Sequence, residues 1–170
     1  MKEVIYGVMV LSLLLLSGCL AGVRQQVTFE GQAAMELEAL ARRAVDREIH
    51  DPYLPAIIKQ NNMMQLDFRP MVKALLDDLA AGVPTANIAL AFHLWLVESC
   101  FNLLKIMAGQ YNEKNILLGG GCFQNKILLE LLSEKLENNG FKVYSNEQVP
   151  VNDGSIALGQ LYVAACAANV

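Results

Sequence analysis

The stretch NILLGGGCFQNKILLELLSEKLENNGFKVYS, from Asn115 to Ser145, limits the possible folds more than any other part of the chain. A short apolar run meets three glycines, passes into an amphipathic helix closed by Gly140, and returns as a second apolar run, FKVYS. Strand, helix and strand in this order predict a right-handed parallel crossover, with ligands collecting at the carboxyl ends of the strands. Gly119, Gly120 and Gly121 remove side chains where the chain turns towards the helix. Backbone N–H groups there can approach an anion, with the positive end of the helix behind them. The spacing fits neither G-x-x-x-x-G-K-[ST] nor G-x-G-x-x-G, which disfavours both a P-loop and a dinucleotide fold. The same glycines also fit a tight turn that needs no ligand, and the loop alone leaves both readings open.

A second loop narrows the choice. VPVNDGSIALGQ, from Val149 to Gln160, places Asp153, read as its sole carboxylate, after a strand and at the start of a helix whose apolar body implies burial. As a helix cap, Asp153 would satisfy free N–H groups and contribute about 1 kcal/mol. As a metal ligand, it would hold a hard or borderline cation beside phosphate oxygens. One loop of amides beside one bearing a carboxylate describes a nucleotide-and-metal site.

The preceding segments read as scaffold. From Phe29, Ala33, Leu37, Leu40, Ala41 and Ala44 recur at helical spacing, with Glu38, Arg42 and Arg43 turned away, predicting an amphipathic helix that starts from the Glu30–Gly31 turn. YLPAII and NMMQLDF, separated by KQN, predict a hairpin whose first strand, holding Pro55, lies at an edge. RPMVKALLDDLAAG predicts a helix with Pro70 in its first turn and Gly82 closing it. Pro84 to Gly109 is apolar on nearly every side and predicts one long helix buried at the domain centre. His93 and Trp95 lie within it. His93 is compatible with a hydrogen-bonded core residue or a ligand, and Trp95 reads as a core anchor.

Composition removes whole function classes. With 170 residues and 54% hydrophobic content, one globular domain is the default. A formal charge of −4 and the lack of a Lys/Arg run argue against nucleic acid and anionic membrane surfaces. Cys19, Cys100, Cys122 and Cys166 lie far apart with no C-x-x-C pair, so they read as small buried hydrophobes in a reducing compartment. Residues 1–21 stand apart. Lys2, the apolar run Val4 to Leu16 and the Leu-Ser-Gly-Cys sequence ending at Cys19 have the pattern of a secretory, lipoprotein-like signal. The run is short of the roughly 20 residues of a membrane span, and it reads also as a buried first helix or, in preference to a signal, as a replacement for a native one.

Together, LLGGGCFQNKILLELL, VPVNDGSIALGQ, VTFEGQAAMELEALA and the Phe92–His93 pair in a long helix resemble the carboxyl-terminal part of the hydrogenase maturation carbamoyltransferases, the HypF family. The resemblance covers residues 22–170, read as the carboxyl-terminal half of that family's last domain. It implies an α/β fold: an incomplete domain, the RNase H-like half of an actin, Hsp70 and sugar-kinase superfamily domain, with adenylate bound in the cleft between two such halves. It further implies chemistry in which carbamoyl phosphate and ATP give carbamoyl-adenylate, whose carbamoyl group passes to the terminal cysteine of a HypE-like acceptor protein.

By matching positions, the resemblance makes Asp153 a ligand of a divalent metal and Gly119, Gly120 and Asn125 nucleotide contacts. It sets Glu30 and Gly31 in a turn facing the cleft and leaves the role of His93 open. The chain departs from the family pattern at Gly119, where Ser is usual, at Ser155, where a second Gly is usual, and at Cys122, where an aliphatic residue is common. The acylphosphatase-like, zinc-finger and YrdC-like regions, the first half of the last domain and its His-rich metal motif have no counterpart. His50 and His93 are the two histidines, and one aspartate cannot hold a catalytic metal. The expected protein is a cytoplasmic, partner-dependent carbamoyltransferase part that needs an upstream HypF half. The alternative is an inactive remnant or interaction protein, at a membrane if Cys19 is lipidated.

Overall fold

The structure, a computed structural model, describes residues 31–44, 53–60 and 63–168. The leader over residues 1–21, with Cys19, and the sequence positions Glu30 and His50 lie outside the described residues. The fold is mixed α/β and divides into two compact units, Met1–Met107 and Ala108–Val170, with the division falling inside a long helix.

In the first unit, helix α1 (Gln32–Ala41) follows Gly31, whose φ of 85° is a left-handed conformation that glycine adopts without strain. It buries Ala33, Leu37 and Ala41, spaced four apart on one face. Beside that face runs the Arg42–Glu38 ion pair at 2.7 Å, while Leu40, expected inside, is half-buried. Strands β1 (Ala56–Gln60) and β2 (Met63–Asp67) form the expected antiparallel hairpin, with Ile57 opposite Leu66 and Gln60 opposite Met63. The connection is tighter than KQN suggests, because Lys59 and Gln60 belong to the ladder. Their solvent-facing polar side chains hid a strand whose backbone pairing continues. Pro55, which cannot donate to a ladder, lies just before β1.

Helix α2 (Arg69–Ala80) starts with Pro in its first turn and buries Met71 and Leu75. Gly82, at φ 76°, closes it, with Val83 N–H donating to the Asp78 carbonyl in a Schellman-type termination. The hydroxyl of the buried Tyr53 donates to Asp78 Oδ2 at 2.7 Å, tying the approach to β1 to this helix. Burial, then that hydrogen bond, pushes the Tyr53 phenol well above its ordinary range.

Helix α3 (Thr85–Tyr111) is the apolar helix expected from the sequence, buried between Ile88 and Phe101 but exposed at Lys105, Ile106 and Met107. It runs through Gly109 and ends where Asn112 takes a left-handed φ of 51°. Glycine stops a helix only when it occupies that position. The helix is long and apolar enough to cross a bilayer, yet it is largely buried, as a core helix is. Phe92 meets His93 edge to face at 5.9 Å and Trp95 at 6.0 Å. His93 Nδ1 lies 2.7 Å from the Ala89 carbonyl. A carbonyl only accepts, so Nδ1 carries the proton. Burial holds the His93 pKa below its usual value; the Ala89 bond and Glu38 oppose this, and Arg42 adds to it.

In the second unit, β3 (Asn115–Leu118) and β4 (Lys142–Ser145) pair in parallel, from Asn115 opposite Lys142 to Leu118 opposite Ser145. The intervening helix α4 (Lys126–Asn138) buries Ile127, Leu128, Leu132 and Leu136. Gly140 at φ 80° closes it, as expected, with Phe141 N–H donating to the Leu136 carbonyl. The last helix, α5 (Ile156–Ala168), contradicts its expected burial: none of its residues is buried. Its apolar composition asks for a cover that the described residues do not provide.

Two outcomes follow from this packing. Leu132→Ala, at a position 1% exposed, will lower unfolding free energy by about 2–5 kcal/mol in a denaturant titration. For His93, the folded pKa is lowered, so the unfolded chain binds the extra proton first. Its stabilising contribution is full above about pH 6.5 and declines as pH falls from there towards the folded pKa. His93→Gln will flatten that part of a melting-temperature profile against pH.

Candidate functional site

The parallel register puts the ends of β3 and β4 side by side, Leu118 opposite Ser145, so the loops leaving them start from one edge of the sheet. The first is Gly119–Gly121. Gly120, at φ 103° and ψ 161°, has a backbone conformation essentially restricted to glycine. Gly119 does not share it, and a Cβ there would meet nothing within 4 Å. A serine would fit, which gives the departure at Gly119 a physical basis.

Helix α4 does not follow the glycines directly, as the sequence suggested. A 3-10 turn, Gly121–Gln124, intervenes, with Phe123 N–H donating to the Gly120 carbonyl and Asn125 N–H to that of Cys122. The positive helix end is therefore several residues beyond the loop. Among the described residues, the N–H groups of Gly119 and Gly120 donate to no backbone carbonyl. They can turn to an external acceptor at no cost in internal bonding.

Asn125 caps α4: its Oδ1 accepts from Leu128 N–H at 3.0 Å. That contact fixes where the helix begins.

The second loop leaves β4 at Asn146, so it begins before Val149 and takes in Glu147 as well. Asn146 Nδ2 donates to the Pro150 carbonyl at 3.4 Å. Here the cap is Asn152, whose Oδ1 accepts from Gly154 N–H at 3.1 Å. The backbone N–H and hydroxyl of Ser155 both donate to the Asn152 carbonyl at 3.1 Å. Ser155 thus closes the turn without needing glycine geometry, since Asn112 is the one non-glycine residue with positive φ among those described. Gly154 is tighter: a Cβ would lie 3.1 Å from Asn152 Oδ1.

Asp153 opens the 3-10 turn Asp153–Ser155, is exposed, and has no side-chain partner among the described residues. The capping role open to it in the sequence belongs to its neighbour. The sequence signal was present in N-D-G, where both of the first two residues can cap.

Gly31 lies in the first unit at the start of α1, and His93 is a buried core residue of the same unit. Among the described residues, no group of three or more His, Cys, Asp or Glu side chains could hold a metal ion. Asp153 supplies one oxygen donor group, not a metal site.

Comparison with known proteins agrees with this architecture. Residues 16–160 match the model of the carbamoyltransferase Kae1-like domain, second subdomain. The carbamoyltransferase HypF of Synechocystis sp. is 36% identical over 143 residues, covering 84% of this chain and 17% of that protein. A HypF homologue of Cupriavidus necator is 34% identical, covering 84% of this chain and 36% of its own length.

The crystal structure of a full-length HypF in a phosphate- and nucleotide-bound form superposes with a TM-score of 0.74 at 38% identity, covering 84% of this chain and 18% of that one. The structure of HypF from T. kodakarensis, 19% identical, shares the fold with a TM-score of 0.66. The chain belongs to the HypF carbamoyltransferase family and corresponds to its Kae1-like second subdomain. It spans about a fifth or less of the Synechocystis relative and of the full-length structure.

The loop geometry sets two stability expectations for thermal or chemical unfolding. Gly120→Ala will cost about 1–3 kcal/mol through backbone strain, whereas Gly119→Ser will be close to neutral. Asn125→Ala will cost about 0.5–2 kcal/mol through the lost cap, and Asn125→Asp will restore most of it.

Proposed function

We propose that this chain forms one wall of the nucleotide site of a HypF-type carbamoyltransferase acting in hydrogenase maturation, and that it works with a polypeptide carrying the complementary half. The observation carrying this reading is the division of labour in the second loop. Asn152 makes the cap, and the exposed Asp153 carboxylate has no structural bond to satisfy among the described residues. It stands on the loop beyond the sheet edge from which the Gly119–Gly120 amides also project. Family membership and the likeness to a nucleotide-bound HypF structure support nucleotide as the ligand.

In this reading the sheet is the RNase H-like half of an actin-type domain. The amides of Gly119 and Gly120 donate to phosphate oxygens of ATP or the adenylate derived from it, with the Asn125 cap holding the turn in place. Asp153 contributes one ligand to a divalent cation whose remaining ligands come from the complementary half.

Glu30 and Gly31 border the nucleotide, as the family turn implies. Carbamoyl phosphate supplies the carbamoyl group, and a HypE-like protein accepts it on its terminal cysteine, whose sulfur displaces AMP from carbamoyl-adenylate. ATP and carbamoyl phosphate are cytosolic metabolites, which supports a cytoplasmic location. Lipid anchoring through Cys19 is the alternative, checked by membrane labelling. The incomplete ligand set favours one second reading, an inactive remnant.

Calorimetric titration of ATP and magnesium into the chain mixed with an upstream HypF half, with carbamoyl phosphate-dependent pyrophosphate release as the activity readout, tests the proposal. Asp153→Ala will weaken nucleotide–magnesium binding and lower release by about 10–100-fold, the range for losing a group that supports a metal. Equal binding and turnover in the variant contradict the reading. Absence of both in the wild-type mixture makes the chain a remnant.

A further inference from the structure

Helix α3 carries two polar atoms in the core of the first unit that have no hydrogen-bond partner: the Trp95 indole Nε1 and the Ser99 hydroxyl Oγ. Trp95 is 1% exposed and Ser99 0%, so neither atom can turn to bulk solvent. Buried polar groups are nearly always paired, because leaving one unmade costs more inside a protein than a made bond gains. Two orphans on one helix therefore call for an explanation.

The ordinary partners are ruled out by geometry. A serine inside a helix commonly bonds the carbonyl four residues back, here that of Trp95, and Ser99 Oγ makes no such bond. An indole N–H can instead point into the face of a neighbouring ring. It lies in the plane of its own ring, so the second ring would have to stand nearly perpendicular. Phe92, the ring that meets Trp95, is 6.0 Å away with its plane only 32° from that of the indole. His93, two positions before Trp95, is on a different side of the helix, and its Nδ1 is held by the Ala89 carbonyl.

Trp95 and Ser99, by contrast, stand four residues apart on one face of α3. Side chains at that spacing are neighbours, with Cβ atoms roughly 5–6 Å apart. Two hydrogen bonds of about 2.8 Å each, placed end to end through one oxygen, span the same distance. We propose that a single internal water bridges Trp95 Nε1–H and Ser99 Oγ in the core of the first unit.

The chemistry of the two groups selects water over other small ligands. The indole N–H only donates, so the bridging atom must accept. A cation cannot accept, and neither side chain carries a charge that would hold a buried anion. An apolar filler leaves both bonds unmade. A water oxygen accepts from the indole and donates one hydrogen to Ser99 Oγ. Its second hydrogen can take the spare lone pair of a helix carbonyl, which completes the roughly three bonds usual for an internal water. The bridge orients the indole against Phe92, so it specifies one packing of the core instead of adding apolar area.

Magnetic relaxation dispersion of the water oxygen signal, which counts long-lived internal waters, tests this on the full chain and on Ser99→Ala, Trp95→Phe and the double variant. Each single variant will lose about one such water, and the double variant no more than either. In denaturant titrations, the effect of Ser99→Ala on the folding equilibrium will differ by about threefold or more between the wild-type and Trp95→Phe backgrounds, beyond what independent sites show. Trp95 is the sole tryptophan, so the emission of the folded chain adds a reading that needs Ser99→Ala alone. Loss of the bridge will move that emission to shorter wavelength. Unchanged dispersion in the single variants overturns the proposal, and so does a water lost with one side chain but kept with the other, since that water is held by one group only. Equal effects of Ser99→Ala in the two backgrounds, or an unmoved emission, likewise overturn it.

Discussion

The parallel pairing of β3 with β4 is the constraint on which the candidate site depends. Parallel strands cannot be joined by a hairpin, so the chain must cross the sheet between them. Here that crossing is α4, whose Leu128, Leu132 and Leu136 are buried. Once the crossover packs, both strands point the same way and both of their following loops leave the same edge. A register slip of one residue would turn Leu118 from buried to solvent-facing, so the hydrophobic pattern enforces the alignment. The glycine loop and the Asp153 loop share an origin because of core packing, with no direct interaction between them required.

Local polar chemistry then determines what each loop can offer. Two asparagine caps, Asn125 and Asn152, satisfy helix-start amides through their own side chains. This leaves the Gly119 and Gly120 amides and the Asp153 carboxylate for other partners. Both glycines have room for a Cβ, and only Gly120 has backbone angles that favour glycine.

Much of this was legible in the sequence, for identifiable reasons. The strand–helix–strand unit announced itself through short apolar runs and a helix closed by Gly140. The hairpin and α2 were marked by Pro55, Pro70 and Gly82. Less legible were features decided by a single backbone choice. The 3-10 turn after Gly120 depends on a bond from Phe123 to the Gly120 carbonyl, which no residue pattern specifies. The end of α3 fell to Asn112 because Gly109 kept helical geometry. In N-D-G, two adjacent residues can cap equally well, and only the folded turn selected Asn152. The greatest misreading was α5, where apolar composition predicts burial but the described residues supply no cover.

The central claim is that both loops belong to one nucleotide site completed by a second subdomain. Hydrogen exchange measured by mass spectrometry with ATP and magnesium, in the presence and absence of the complementary subdomain, tests it most directly. The account predicts new protection at residues 119–125 and 152–156 together, and only when both nucleotide and complement are present. Protection confined to one loop, or nucleotide bound to the complex with neither loop protected, would contradict it.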